Sequence, residues 1–233
     1  MKVLKDISDW LMDYFYMVLF AFNSVIYIKP PKHYLGHVVD GKVPVLIIPG
    51  ILGKWSFLKK LADTISLLGH PVYVVPDLGY NLYNIPKSSD IVHSVIKKED
   101  LRNAIILAHS KGGLIGKYTL IHHNEDKRII GMVSLATPYH GSAITKLLPV
   151  EPISELHNDS LIIKDLNSHT AVNKEIVSIC PVFDNHVWAK EGSRLEGAKN
   201  INVNVFGHHK IVYDKEVVGI VKREIERISL GVR

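Results

Sequence analysis

One cysteine stands in the 233 residues, Cys180, inside the apolar run Glu175-Ile176-Val177-Ser178-Ile179-Cys180. A single thiol excludes an internal disulfide, and nothing in the chain argues for an oxidising compartment. The formal charge is +5, but lysine and arginine are dispersed, with no basic block and no stripe of interleaved aromatics. Nucleic acid is therefore left without a motif to bind it. The surplus reads as solvated surface with a weak attraction for anionic membrane surfaces. No internal repeat or low-complexity stretch interrupts the chain. Thirteen histidines make no ligand set of recognisable spacing. The pairs His122-His123 and His208-His209 are adjacent, and neighbouring side chains diverge in a helix or a strand. This length is ordinary for one domain with a large core.

The first forty residues differ from the rest. From Leu11 to Ile28 the polar residues are Asp13, Asn23, Ser24 and tyrosine hydroxyls, and aromatics are dense. On a helix, Asp6, Asp9, Asp13, Ser24 and Tyr27 fall on one side, which leaves a narrow polar stripe and a broad apolar face. Three readings stand. The helix lies in a membrane surface through residues 10–28, or packs on the body and roofs a site, or serves as an export signal or spanning anchor. Against the last, no small-residue cleavage site follows and Asp13 interrupts the apolar core. The expected location is cytoplasmic, with membrane association through this segment. Pro30-Pro31 marks the boundary, giving a segment 1–40 and a domain 41–233.

From Val43 on, short apolar runs alternate with helix-length segments. Strands are expected at 43–48, 71–75, 104–107, 129–135, 176–180 and 201–206. Helices are expected at 55–68, 85–98, 112–122 and 217–228. Continuous apolar strands alternating with helices predict an α/β fold, a mostly parallel sheet with helices on both faces. Residues 138–172 break the rhythm with Pro138, Gly141, Pro149 and Pro152, and with short helical pieces at 143–148 and 160–166. An excursion of this length either covers the mouth of a site or packs on one edge.

The most informative stretch is Ala104-Ile105-Ile106-Leu107-Ala108-His109-Ser110-Lys111-Gly112-Gly113-Leu114-Ile115. A strand-type run ends where a helix-type run begins, and Ser110 sits at the corner. Such a turn lifts a serine above the sheet edge, and Ala108 and Gly112 supply the small residues it needs. The simpler alternative is that Ser110 only caps the helix. A nucleophilic serine needs a base, a group that orients the base, and donors for an oxyanion. Loops after three strands carry these types. Pro49-Gly50-Ile51-Leu52-Gly53 offers the Ile51 N–H, and the helix start offers the Lys111 N–H. Val182-Phe183-Asp184-Asn185-His186 offers Asp184, with Asp165 and Asp214 as rivals. Phe206-Gly207-His208-His209 offers a histidine as base, either of the two. Serine, aspartate and histidine in this chain order match an α/β-hydrolase arrangement.

With these motifs the chain resembles the small bacterial lipases and esterases of the α/β-hydrolase superfamily. The similar pieces are Ile48-Pro49-Gly50-Ile51, Ala108-His109-Ser110-Lys111-Gly112-Gly113, and Leu135-Ala136-Thr137-Pro138-Tyr139-His140-Gly141-Ser142. The block from Phe183 through Ser193-Arg194-Leu195-Glu196-Gly197-Ala198-Lys199-Asn200 to Gly207-His208 continues it. The likeness covers about residues 43–230 and leaves the N-terminal segment outside. It implies a catalytic triad of Ser110, Asp184 and His208, with His208 and not His209 as base. It also implies cleavage of carboxylic esters of small or lipid type, without metal or cofactor. Pro49 stands where many lipases have histidine, and Lys111 where methionine or glutamine is usual. Lys111 is expected to face solvent, so that its N–H alone matters; His109 is expected to support the turn. His140 matches a structural position and receives no chemistry. A thioesterase or acyltransferase would use the same residues, and a membrane-associated binding protein could keep the fold without turnover. Acyl chain length and oligomeric state are not legible.

Overall fold

The structure, a computed structural model, describes residues 2–143, 145, 152–187, 189 and 191–231. The elements are α1 (Lys2–Ile26), α2 (His33–Gly36), β1 (Val45–Ile48), α3 (Lys59–Leu67), β2 (Val72–Val74), α4 (Ile85–Lys98) and β3 (Ala104–His109). They continue with α5 (Lys111–His122), β4 (Ile129–Leu135), α6 (Leu161–Ser168), β5 (Ile176–Phe183), β6 (Lys199–Phe206) and α7 (Lys215–Leu230). The six strands form one sheet in the order β2-β1-β3-β4-β5-β6, and every pairing is parallel.

Side chains alternate along a strand, so each strand feeds two cores. Val45, Ile47, Ile105 and Leu107 pack with Leu61 and Ile65 of α3 and with Val217, Val221 and Ile225 of α7. Leu46, Ile48, Ile106 and Ala108 pack with Val92 and Ile96 of α4, Leu114 and Ile115 of α5, and Ile163 and Leu166 of α6. All residues of β1 and β3 are buried, as a sheet covered on both faces requires. This is the expected α/β arrangement.

Local chemistry sets the helix ends. Asn84 accepts a hydrogen bond from Lys87 N at 2.9 Å at the start of α4, and Asp214 accepts from Glu216 N at 2.8 Å at the start of α7. The helix expected over 55–68 is divided. Trp55–Leu58 form a 3₁₀ turn and α3 begins at Lys59. All four residues of that turn are buried, so no amphipathic face exists there to organise an α-helix. β5 and β6 extend beyond their apolar runs because β6, at the sheet edge, alternates buried with exposed residues. The helical piece expected at 143–148 lies largely outside the described residues, whereas that at 160–166 is α6.

Of the polar stripe expected on the first helix, Asp6 and Asp9 have side chains outside the described set and Tyr27 is exposed, but two members turn inward on α1. Asp13 and Ser24 are buried and Asn23 half-buried, while Leu11, Phe15, Val18, Phe22 and Val25 are each more than half exposed. Tyr16 stacks on Tyr213 at 5.1 Å and Phe20 lies on Phe57 at 3.5 Å between ring centroids. No helix among the described residues is long and apolar enough to cross a membrane, which sets aside the spanning-anchor reading.

α5 lies in the centre of its layer and buries even Lys111 and Lys117. Lys117 is fully buried and its Nζ has no hydrogen-bond partner. Burial pushes its ammonium down to about 8. The unfolded chain keeps the ordinary value near 10.4, so the cost of the buried charge is complete below pH 8 and fades as pH rises from there to 10.4. Lys117→Met is expected to raise unfolding free energy at pH 7 by about 2–3 kcal/mol, with the gain shrinking toward pH 10. Guanidinium unfolding at pH 7 and 9.5 checks this; an equal gain at both values would contradict it.

Candidate active site

The site is built on the corner between β3 and α5. Ser110 has φ 53° and ψ −127°, a conformation that costs a non-glycine residue energy and persists only where packing imposes it. The packing is visible in the glycines. A Cβ on Gly112 would lie 2.3 Å from Ile48 O, and one on Gly113 would lie 2.0 Å from Thr137 Oγ1. The Ser110 N–H donates to Leu135 O at 2.9 Å, which ties the corner to the end of β4. A Cβ on Gly50 would meet Ser110 Cβ at 3.0 Å, so the loop carrying Ile51 abuts the serine. The Ser110 side chain accepts no hydrogen bond from the first turn of α5, so it does not serve as an N-cap.

Ser110, Asp184 and His208 come together from three strand ends. Ser110 Oγ lies 2.9 Å from His208 Nε2. His208 Nδ1 lies 2.9 Å from Asp184 Oδ2 and 3.0 Å from Oδ1. The Asp184 carboxylate also accepts from the N–H groups of His186 at 2.8 Å and Val187 at 2.9 Å. Burial would raise the Asp184 carboxyl, but the His208 imidazole and these donors hold it below the ordinary carboxylate range. For His208, burial works to lower its affinity for protons, and the charge and hydrogen bond of Asp184 outweigh it, so the imidazole sits above its ordinary value. The loop is pinned further: His208 N donates to Asn185 Oδ1 at 3.0 Å, and His109 Nε2 lies 2.9 Å from His208 O. His109 is buried and stacks on Phe57 at 4.7 Å, so its place is structural. The rivals stay apart from Ser110. Asp165 lies on α6 beside His122 and His169, and Asp214 caps α7. His140 is half-buried in the turn after β4.

Lys111 corrects its expectation. It does not face solvent: it is fully buried, with Nζ 2.7 Å from Glu155 Oε1 and donating to Tyr83 O at 2.5 Å. Glu155 in turn accepts from Ile85 N at 2.9 Å, so the excursion and the start of α4 close over the first turn of α5. A polar contact at this distance in sequence carries no local signature. Burial lowers the Lys111 ammonium, and Glu155 offsets part of that.

Sequence reasoning placed Asp13 on a polar stripe and gave it no task. It is fully buried against the histidine loop. Oδ1 accepts from His209 N at 2.7 Å and Lys210 N at 2.9 Å, and Oδ2 lies 2.9 Å from His209 Nδ1. Burial works to raise the Asp13 carboxyl, yet His209 and the two amides hold it well below the ordinary range. Gly207 makes room for it: with φ 127°, a Cβ there would lie 2.4 Å from Asp13 Oδ1. The two adjacent histidines thus have different carboxylates, Asp184 for His208 and Asp13 for His209.

A cavity of about 500 Å³ opens beside Ser110 and His208. Met17, Phe20 and Ala21 of α1 form one wall, Ile51 and Leu52 another, and Ile153 and Leu156 of the excursion a third. The lining is mostly apolar, as pockets for apolar ligands are. The excursion therefore lines the cavity through Ile153 and Leu156 and joins the core of α4 and α5 through α6.

No family model and no curated protein sequence matches the chain. Solved structures do. The mature Bacillus licheniformis lipase BlEst2 is 15% identical, with 84% of this chain and 96% of that one covered at a TM-score of 0.66. Aspergillus fumigatus lipase B is 16% identical over 86% of this chain and 59% of that one, at 0.69. A metagenomic α/β hydrolase from sediments of the Mar Chica lagoon, Morocco, is 15% identical over 80% and 91%, at 0.60. The sheet, its helices and these likenesses define the fold as that of the α/β-hydrolases.

Replacing Asp13 by alanine removes the acceptor of two backbone N–H groups and the partner of His209. Asp13→Ala is expected to cost about 2–4 kcal/mol of unfolding free energy, with Asp13→Asn between it and wild type. A loss below about 1 kcal/mol in guanidinium unfolding would show that α1 docks without this contact.

Proposed function

We propose that the protein is a serine hydrolase that cleaves carboxylic esters of lipase or esterase type through an acyl-enzyme on Ser110. The observation that supports this reading is the chain of hydrogen-bond distances from Ser110 Oγ through His208 to Asp184. A strained, cavity-facing serine with an aspartate-oriented imidazole against it is the arrangement of nucleophile, base and orienting group.

In this mechanism His208 Nε2 takes the Ser110 proton as Oγ attacks the ester carbonyl carbon. Negative charge moves to the carbonyl oxygen, which the N–H groups of Ile51 and Lys111 receive as oxyanion donors. The imidazolium, stabilised by Asp184, gives its proton to the departing alcohol oxygen as the C–O bond breaks. Water then attacks the Ser110 ester, His208 takes a water proton, and the tetrahedral adduct collapses to acid and free serine. Buried Lys111 positions the turn that supplies its own N–H. The apolar walls of the cavity favour an apolar acyl chain. Thioester cleavage and acyl transfer to another alcohol would follow the same steps with a different leaving or accepting group.

The test is intact mass after reaction with a fluorophosphonate probe, on wild type, Ser110→Ala and Asp184→Asn. One adduct on wild type and none on Ser110→Ala is the expected result. Asp184→Asn is expected to label on the order of 10³–10⁴ times more slowly. A folded wild-type protein that takes no label, with or without vesicles, would favour the non-catalytic binding protein instead.

Contact with a membrane surface through residues 10–28 belongs to the same proposal. It is supported by the outward face of α1, where Leu11, Phe15, Val18, Phe22 and Val25 recur at helical spacing, and by Lys29 and Lys32 just beyond. Wild type is expected to float with vesicles of phosphatidylcholine and phosphatidylglycerol, and Phe15→Glu/Phe22→Glu to remain behind. Equal flotation of both would remove the helix from the membrane reading.

A further inference from the structure

Asp13, His186 and His209 belong to three separate parts of the chain: α1, the loop after β5, and the loop after β6. Each offers one ligand-type atom, and the three atoms all lie within 4.8 Å of one another. We propose that these residues form a site for a divalent transition cation of the zinc class, beside the serine and its base.

The donor set fits that class. Two imidazoles and one carboxylate suit zinc, whereas calcium and magnesium take oxygen ligands. Zinc bonds of about 2.0–2.2 Å place neighbouring ligand atoms roughly 3.3–3.5 Å apart in a tetrahedron. Asp13 Oδ2 and His209 Nδ1 are 2.9 Å apart, about half an ångström closer than that, and no pair in the set is separated by more than 4.8 Å, so side-chain shifts of about an ångström complete the geometry. The carboxylate is prepared for the task. Its Oδ1 is held by the N–H groups of His209 and Lys210, which leaves Oδ2 directed at the histidines. Ligating carboxylates and imidazoles are oriented by hydrogen bonds of this kind.

An independent feature marks the same spot. His186 Nε2 is buried and has no hydrogen-bond partner, although the His186 backbone N–H is engaged by Asp184. A buried polar atom left unsatisfied costs free energy, and a cation would give it a partner. On binding, the ion takes the place of the proton between His209 Nδ1 and Asp13 Oδ2, and the neutral imidazole carries that proton on Nε2 instead. His186 and His209 both line the cavity, so a fourth coordination position opens towards it. The ion would fasten α1, a wall of that cavity, to the two loops that carry Asp184 and His208. His208 is a neighbour of the site and not a ligand in it: its two nitrogens face Ser110 and Asp184.

The inference goes beyond ester hydrolysis, and its test reads binding, so the two can fail separately. Metal-free full-length protein is titrated with zinc chloride by calorimetry, and bound metal is counted after dialysis. The set comprises wild type, His186→Ala, Asp13→Asn and His208→Ala, each checked for fold by circular dichroism. Wild type is expected to retain one equivalent of zinc and to show a zinc-dependent rise in melting temperature. His186→Ala, on a half-exposed loop residue, is expected to bind at least tenfold more weakly, and His208→Ala to bind as wild type does. Cobalt in place of zinc is expected to give the visible absorption of a four-coordinate site in wild type and not in His186→Ala. No stoichiometric zinc on wild type, unchanged binding by His186→Ala, or loss of binding in His208→Ala would each overturn the proposal; the last would place the ion on the triad.

Discussion

The close approach of α5 to the sheet at Ser110 governs the rest of the structure. A side chain on Gly112 would run into the last carbonyl of β1, and one on Gly113 into Thr137 after β4. With those two positions bare, the helix start sits directly over three strand ends, and the serine has no room to adopt ordinary backbone angles. Everything that meets Ser110 then comes from the same sheet edge. The Gly50 loop follows β1, Asp184 follows β5, and His208 follows β6. In an all-parallel sheet these ends share one side, which is where such folds bind ligands.

Two carboxylates fix the histidine loop from opposite directions. Asp184 holds the imidazole that faces the serine, and Asp13 holds the following residue and its backbone. The two holds act on different degrees of freedom. An imidazole aligned by one hydrogen bond can still move with its loop, and a loop anchored only at its main chain leaves the ring free to turn. In this way α1 holds the loop that carries His208, which explains why Asp13 is turned inward. The buried aspartate meets three donors, the N–H groups of His209 and Lys210 and the His209 ring, whereas the apolar residues opposite it have none to meet.

Much of the sheet is legible in the sequence, because each strand is an apolar run between turn residues. Val45-Leu46-Ile47-Ile48 and Ile129 to Leu135 need no tertiary information to be seen. Ser110, Asp184 and His208 are legible as positions because each follows a strand, and parallel strands end on one side. Three features are not legible, for one shared reason. Lys111 meets Glu155, Asp13 meets His209, and His186 lies within 4.8 Å of that second pair, all across distances in sequence at which no periodicity or spacing operates. Asp13 and His209 stand 196 residues apart. Solvent was the reasonable expectation for Lys111, since a lysine is rarely fully buried without a partner. The partner comes from the excursion, whose conformation the sequence does not announce.

That separation of 196 residues also acts during synthesis. α1 leaves the ribosome before any strand exists, and the groups that accept Asp13 arrive with β6. At roughly 5–20 residues per second, the helix waits on the order of 10–40 s for its dock. Through that interval Leu11, Phe15, Val18, Phe22 and Val25 are exposed, as they remain afterwards, and Phe20 joins them. The contact between Asp13 and the histidine loop forms only once β6 and the residues after it have been made.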